Sequence, residues 1–263
     1  MKFDISKVEF SRTDIRKDLK IPSKLTPELS YLIGVHVGDG SMNIYKRKDG
    51  FNSHLIGYSG HLIDEKEFHI KIISSLFKKL FNKKISLKFD RRKDHSCIHS
   101  YTNSKGMVTF FNQVIGIPLG PKKRIDIPEI IKNSNENIKK EFIKGLGDTE
   151  FSLVFKKRYR DKHYYPVINF STQSRRLQES VLEILGELGF NPYYISRYPT
   201  YRNGKKLFTN QIDLNGISNL NLWMKKIGFN STKHLTKYQI WKKYGFCPSK
   251  TNILERQKIL KGE

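Results

Sequence analysis

The sequence predicts an α+β fold of two pseudo-twofold duplicated halves, each ordered αββαββα, with two antiparallel sheets forming a saddle around two packed parallel helices. Three observations lead there. An apolar, glycine-spaced run, Tyr31 to Gly40 (YLIGVHVGDG), ends in the carboxylate of Asp39, and a second, Phe142 to Glu150 (FIKGLGDTE), ends in that of Glu150. The strand-like and helix-like patterns that follow each run come in the same order, which duplication explains better than chance. The 263-residue length suits two halves of roughly 110 residues each. The boundaries read as an N-terminal extension (1–25), a first half (26–125), a linker rich in Asn, Lys and Glu (126–140), a second half (141–245) and a tail or covering helix (246–263).

Residues 1–25 are mixed and charged with weak periodicity, and are expected to pack on the body or fray. Thr26 is placed to cap the first helix, with Pro27 at its first position and Glu28 in its positive first turn. Gly34 and Gly38 stand four apart on one helical face, as do Gly145 and Thr149, so each helix offers a bare face on which the other backbone can rest. Residues 41–48 alternate, with Met42 and Ile44 on one side and Asn43, Tyr45 and Arg47 on the other, the pattern of a half-buried strand. The register recurs after Glu150: Phe151, Leu153 and Phe155 point inward, and Lys156, Arg158 and Arg160 outward.

Residues 55–61 (LIGYSGH) then match 167–173 (VINFSTQ), each a strand leading into a helix over 64–81 or 175–189. The stripes Phe68, Ile72, Leu76, Leu80 and Leu177, Val181, Leu185, Leu188 are core faces of those helices. Further strands are expected over 85–91 and 98–102, and over 193–198 and 207–214, the last two joined by a hairpin turn at Asn203-Gly204. Each half closes with a short amphipathic helix, containing 110–116 (FFNQVIG) or 222–228 (LWMKKIG), that leads to a lysine-bearing segment.

Composition narrows the partner. Lys and Arg number 49 against 25 Asp and Glu, a net charge of +24 that calls for a polyanion. The 12% aromatic content argues against a disordered basic tail. No apolar run reaches the roughly 18 residues of a membrane span, so no membrane partner is expected. Cys97 and Cys247 make neither a disulfide framework nor a zinc site. A reducing intracellular compartment (cytoplasm and nucleoid, or an organelle matrix) is the expectation, with the chain acting as a monomer.

The acids are the informative part. Asp39 and Glu150 stand at the C-terminal ends of their helices, where the macrodipole disfavours a carboxylate. Parallel packing would also bring the two together, and a shared divalent cation would offset both costs. With these features, residues 32–40 (LIGVHVGDG) and 143–151 (IKGLGDTEF) resemble the two motifs of single-chain LAGLIDADG homing endonucleases, and the resemblance extends over about 27–245. Gly34 and Gly145 match the packing glycine, Asp39 and Glu150 the metal-binding acid, and Gly38 and Thr149 the position whose carbonyl also faces the metal. Phe151 stands where a glycine usually follows the acid.

The resemblance implies a site-specific double-strand DNA endonuclease that hydrolyses phosphodiesters at a long target with Mg2+, Mn2+ substituting. It further implies one lysine and one polar residue per half that position water: Lys123 and Lys233, and Gln173 with His61 opposite it. Ordinary phosphate contact is the alternative for both lysines, and a bidentate contact to adenine for Gln173. The expected DNA contacts are Asn43, Tyr45, Arg47, Lys156, Arg158 and Arg160 on the strand faces, Asn169, Ser171 and Arg175 beside them, and Arg91, Arg92, Arg197 and Arg202 on the later strands. Arg12, Arg16, Lys17 and Lys20 are candidates for an additional DNA-touching arm. Rival readings are an intron RNA maturase, an RNA-processing nuclease on the same fold, and a sequence-specific regulator, which would not need both acids.

Overall fold

The structure, a computed structural model, describes residues 2–92, 95–202 and 204–263, without the side chains of Arg92, His95, Arg202 and Lys205. The expected turn residue Asn203 and the side chains of Arg92 and Arg202 therefore lie outside the described residues.

The N-terminal extension packs on the first half. Its helix α1 (Arg12–Arg16) is closed by a capping box between Ser11 and Asp14. Asp14 is fully buried and accepts hydrogen bonds from Ser104 Oγ at 2.7 Å and the Gly106 N–H at 3.1 Å. Burial alone would raise its pKa; the hydrogen bonds from Ser104, Ser11 and Gly106 outweigh that and hold the carboxyl below its ordinary value. Val8 and Leu19 join the core, and Phe3 meets Phe110 edge-on at 5.6 Å.

The first half runs α2 (Pro27–Gly38), β1 (Gly40–Lys46), β2 (Asn52–His61), a π-helical stretch (Phe68–Ile73) continuing into α3 (Ser74–Phe81), β3 (Ser86–Arg92), β4 (His95–Asn103) and α4 (Lys105–Thr109). Thr26 caps α2 by accepting the Leu29 N–H at 3.2 Å. Residues 126–140 hold α5 (Glu129–Lys132) and the first turn of α6 (Glu136–Thr149) rather than an extended connection. The second half continues with β5 (Phe151–Lys156), β6 (Tyr165–Thr172), α7 (Arg175–Glu187), β7 (Tyr193–Arg202), β8 (Lys205–Asn215) and α8 (Gly216–Lys226), and is followed by α9 (Thr232–Tyr244) and α10 (Ile253–Lys261).

Both sheets are antiparallel and four-stranded, ordered β1-β2-β4-β3 and β5-β6-β8-β7. Their registers agree as well. Gly40 lies opposite Tyr58, and Tyr58 opposite Ser100; Phe151 lies opposite Phe170, and Phe170 opposite Ile212. The α+β class and the repeated topology are as the sequence predicts. The first strand of each half is shorter than its alternating pattern: β1 stops at Lys46 and β5 at Lys156, so Arg47, Arg158 and Arg160 belong to turns. Arg158 has a left-handed backbone (φ 49°) and its guanidinium stacks 3.9 Å over Tyr165, while that of Arg160 lies 4.6 Å over Tyr164. These stacks hold the turn where an alternating pattern predicts more strand.

Phe151 has a steric explanation. A β-carbon on Gly40 would lie 2.4 Å from His36 Nδ1, and one on Gly147 would lie 2.8 Å from Trp223 Cζ2. The step along the chain that leads from Asp39 to Glu150 also leads from His36 to Gly147 and from Gly40 to Phe151. The bulky residue and the glycine have thus exchanged places between the halves. Phe151 is fully buried, with ring centroids 4.8 Å from Phe170 and 5.2 Å from Trp223. Phe151→Gly, although it brings the motif closer to the usual pattern, should remove at least about 3 kcal/mol of stability by opening a cavity. A thermal melt checks this; a melting temperature at or above the wild type would refute the exchange.

Candidate functional site

Helices α2 and α6 run parallel and touch backbone to backbone. A β-carbon on Gly34 would lie 2.1 Å from the Phe142 carbonyl oxygen and 2.8 Å from the Leu146 nitrogen. One on Gly145 would lie 2.0 Å from the Tyr31 carbonyl oxygen and 3.0 Å from the Val35 nitrogen. These contacts are reciprocal, because Tyr31 and Phe142, Gly34 and Gly145, and Val35 and Leu146 occupy equivalent places in the repeat. Such reciprocity marks a twofold-related contact. One turn further, a β-carbon on Gly38 would lie 2.0 Å from Thr149 Oγ1 and 3.1 Å from Glu150 Cγ. Asp39 and Glu150, the residues that end the two helices, are thereby brought to the same place.

Their electrostatics record the encounter. Asp39 is half-buried and its carboxyl is pushed up to about 7, first by burial and then by the charges of Glu150 and Glu65, against the pull of Lys122 and Lys233. Burial also raises Glu150, again opposed by Lys122 and Lys233. The Lys122 ammonium donates to the carbonyls of His36 (3.3 Å), Val37 (3.1 Å) and Gly38 at the end of α2. Burial lowers its pKa, while Glu150 and Asp39 act to hold its proton. Lys233 donates to Glu65 at 2.9 Å. The segment leading into α9 is fixed by Asp148, which accepts from Tyr31 OH (2.6 Å) and from the N–H groups of Asn230 (3.0 Å) and Ser231 (2.9 Å).

One expected lysine is displaced by a single position. Lys123 is exposed, whereas Lys122 is close enough to Asp39 and Glu150 to act on their charge. The spacing held the signal, because Lys122 and Lys233 stand as far apart in the chain as Asp39 and Glu150 do. His61 ends β2 and Gln173 follows β6, at equivalent positions three residues past Tyr58 and Phe170; both are exposed. His61 Nδ1 accepts the Asp64 N–H at 3.3 Å. Glu65 is an acid that the sequence reading missed; it lies in the turn after β2, where no repeat or motif marks it.

Strand pairing sorts the expected contact residues by face. Asn43 and Tyr45 share the face opposite Met42 and Ile56, and Lys156, Asn169 and Ser171 share the corresponding face of the second sheet. The Asn169 side-chain amide donates to Asp213 at 2.5 Å, and Arg47 pairs with Asp49 at 2.7 Å. Arg91 is on the other face. It pairs with Ser96 in register with Phe89 and Ile98, and lines a hollow with Leu62, Ile63, Lys66 and Leu254. The two-residue strand period puts it on the face opposite Asn43 and Tyr45. Arg197 sits at a bulge of β7 with φ 57°, its guanidinium 5.4 Å from the Phe208 ring centroid. Arg175 opens α7 and pairs with Glu179 at 2.8 Å.

The donor set at the seam is all oxygen, two carboxylates beside helix-end carbonyls that already seat a cation, the Lys122 ammonium. This chemistry fits a hard divalent cation such as Mg2+. Thr149 lies beside the second acid, its hydroxyl donating to the carbonyls of Gly145 (3.2 Å) and Leu146 (3.1 Å). Among the described residues, no group of three or more His, Cys, Asp or Glu forms an alternative metal cluster, and no helix is long and apolar enough to cross a membrane.

No family model matches the chain. A relative is an uncharacterized protein of Methanocaldococcus jannaschii, 24% identical over 191 residues, which are 72% of this chain and 65% of the relative. The match therefore spans slightly less than two thirds of that relative's length. Similar solved structures include the homing endonuclease I-DmoI in complex with DNA and Mn (18% identity, 77% of this chain and 96% of that one, TM-score 0.53). Others are a variant of I-SmaMI (14%, 84% and 90%, TM-score 0.54) and the LAGLIDADG homing endonuclease I-LtrWI bound to target DNA (12%, 83% and 89%, TM-score 0.54). The two sheets and their helices are thus arranged as in LAGLIDADG homing endonuclease structures.

Proposed function

We propose that the protein is a site-specific double-strand DNA endonuclease of the homing type that hydrolyses phosphodiesters with divalent metal ions. The observation that carries this reading is the meeting of Asp39 and Glu150 at the ends of two backbone-packed helices, with the charges of Lys122 and Lys233 acting on both. Structural relatives solved with DNA and Mn or Ca support it. In each strand a water oxygen bonds to phosphorus, one phosphorus–oxygen ester bond breaks, the water releases a proton and the departing oxygen takes one up. Bound divalent ions supply charge neutralisation at the phosphate and a more acidic water. Asp39 and Glu150 would hold them, joined by the Gly38 and Thr149 carbonyls. Lys122 and Lys233 bring positive charge to the scissile phosphates, and the polar sheet faces with Asn43, Tyr45, Lys156, Asn169 and Ser171 follow the DNA. Both acids come from one chain, which supports action as a monomer.

The test is selection of cleaved members from a randomised supercoiled-plasmid library with Mg2+. The wild type should linearise a recurring sequence. Asp39→Asn and Glu150→Gln should each lose at least about a thousandfold in rate, Lys122→Met about ten- to a hundredfold, and Lys123→Met less than about threefold. Absence of any recurring cleaved site, or cleavage of RNA alone, would overturn the proposal.

A further inference from the structure

We propose that Glu65 is a positioning residue for Lys233, and that this pair makes the two halves of the centre unequal, so that one DNA strand is cut faster than the other. This rests on the endonuclease reading above. Glu65 lies in the turn after β2, its side chain only 13% exposed. One carboxylate oxygen accepts the His61 N–H at 2.5 Å and the other accepts Lys233 Nζ at 2.9 Å. Gly60 makes room for it, since a β-carbon there would lie 2.8 Å from Glu65 Oε2. The pair crosses the seam between the halves, from the β2 turn to α9.

A second tie fixes the same two segments. Asp64 accepts the Ile253 N–H of α10 at 2.7 Å and lies 3.2 Å from Arg256 Nη2. Arg256, 1% exposed, donates through Nε to Thr236 Oγ1 on α9 at 3.0 Å. The turn that presents Glu65 and the helix that presents Lys233 are therefore held together from both sides, and a rotamer change of Lys233 does not by itself release them.

Among the described residues, Lys122 has no equivalent carboxylate tie. Lys122, the repeat partner of Lys233, donates to three main-chain carbonyls of α2. In the sheets Tyr58 corresponds to Phe170, and carrying that correspondence forward sets Glu65 against Leu177, a buried core residue of α7. One lysine thus forms a direct ion pair with a carboxylate outside the Asp39–Glu150 pair, and its partner is held by carbonyls instead. Glu65 also lies close enough to Asp39 to act on its charge. At the strand served by Lys233, less positive charge is left for the phosphate.

The experiment uses a duplex carrying the selected site, each strand labelled at a different end, in single turnover with Mg2+. The wild type should nick the two strands at rates differing by roughly three- to tenfold, the scale of one shared ion pair. Glu65→Gln should change that ratio toward one, and Glu65→Asp should largely keep it. Melting of wild type, Glu65→Gln, Lys233→Met and the double variant gives a DNA-independent readout, and the summed single losses should exceed the loss of the double variant by about 1–3 °C. Equal slowing of both strands by Glu65→Gln, or additive melting shifts, would overturn the assignment. A wild type that cuts no duplex would instead refute the endonuclease reading, and the role assigned to Glu65 with it, whatever the melts show.

Discussion

In chelating buffer at pH 8, Asp39→Asn protein will melt above the wild type, and at pH 4 the two will melt together. The sign follows from the direction of the shift. The Asp39 carboxyl titrates near 7 in the folded protein, against an ordinary value of 3.8 in the unfolded chain. Its protonated form therefore contributes stability that is complete below pH 3.8 and is lost as the pH rises through 7. Asparagine mimics the neutral acid at every pH, so the advantage of the variant opens across that window and is constant above it. With screening at a half-buried site, the plateau should be roughly 1–3 kcal/mol, or about 3–10 °C in melting temperature. Glu150→Gln should behave in the same direction, because burial raises that carboxyl as well. Millimolar Mg2+ should raise the melting temperature of the wild type at pH 8 and leave both variants unmoved. The variant that is more stable is also the one that loses cleavage by the largest factor predicted here, which is the behaviour of a site kept for chemistry at the expense of stability. Parallel melting curves for wild type and Asp39→Asn across the pH range, or equal stabilisation of all three proteins by Mg2+, would remove both acids from the site.

What the sequence revealed and what it hid have physical causes. The helix crossing was legible because glycine is the one residue whose absence of a side chain is itself the signal, and Gly34 and Gly145 occupy equivalent places in a repeat. The repeated order of helices and strands along the chain was legible for the same reason, since two copies of one pattern constrain each other. The segment at 121–125 offers two adjacent lysines, and local context does not tell them apart; the repeat spacing that joins Lys122 to Lys233 does. The face of Arg91 is fixed by its register with Phe89 and Ile98, which its charge does not reveal. The alternation of Arg158 and Arg160 continues past Lys156, but their stacking on Tyr165 and Tyr164, which no local pattern announces, accompanies the end of the strand there. Glu65 was invisible for a deeper reason. Its importance comes from a partner 168 residues away and from having no counterpart in the other half. A reading built on repetition does not detect an asymmetric residue.

Gly145→Ala should cost about 3 kcal/mol or more and lower the melting temperature by roughly 6–12 °C, an unusually large loss for one added methyl group. The methyl would stand 2.0 Å from the Tyr31 carbonyl oxygen, and that oxygen belongs to the backbone of α2, which cannot turn aside as a side chain would. Relief requires α2 and α6 to separate along the whole crossing, loosening the close packing of Leu32, Ile33, Ile143 and Leu146, all fully buried. Gly34→Ala should be equally damaging, because its methyl would meet the Phe142 carbonyl oxygen at 2.1 Å. Gly38→Ala should be milder, since its obstacle is the Thr149 side chain. Gly186→Ala supplies the opposite sign: it lies within α7 with nothing near its missing β-carbon, and should gain about 0.5–1 kcal/mol from helix propensity alone. Thermal melts of the four variants rank them, and cleavage assays add a second consequence. Moving the helices apart also moves Asp39 from Glu150, so Gly34→Ala and Gly145→Ala should lose activity at temperatures where they remain folded, while Gly186→Ala keeps it. A Gly145→Ala protein that melts within about 2 °C of the wild type would mean that the helices do not cross through their backbones, and would leave the two acids without the contact that brings them together.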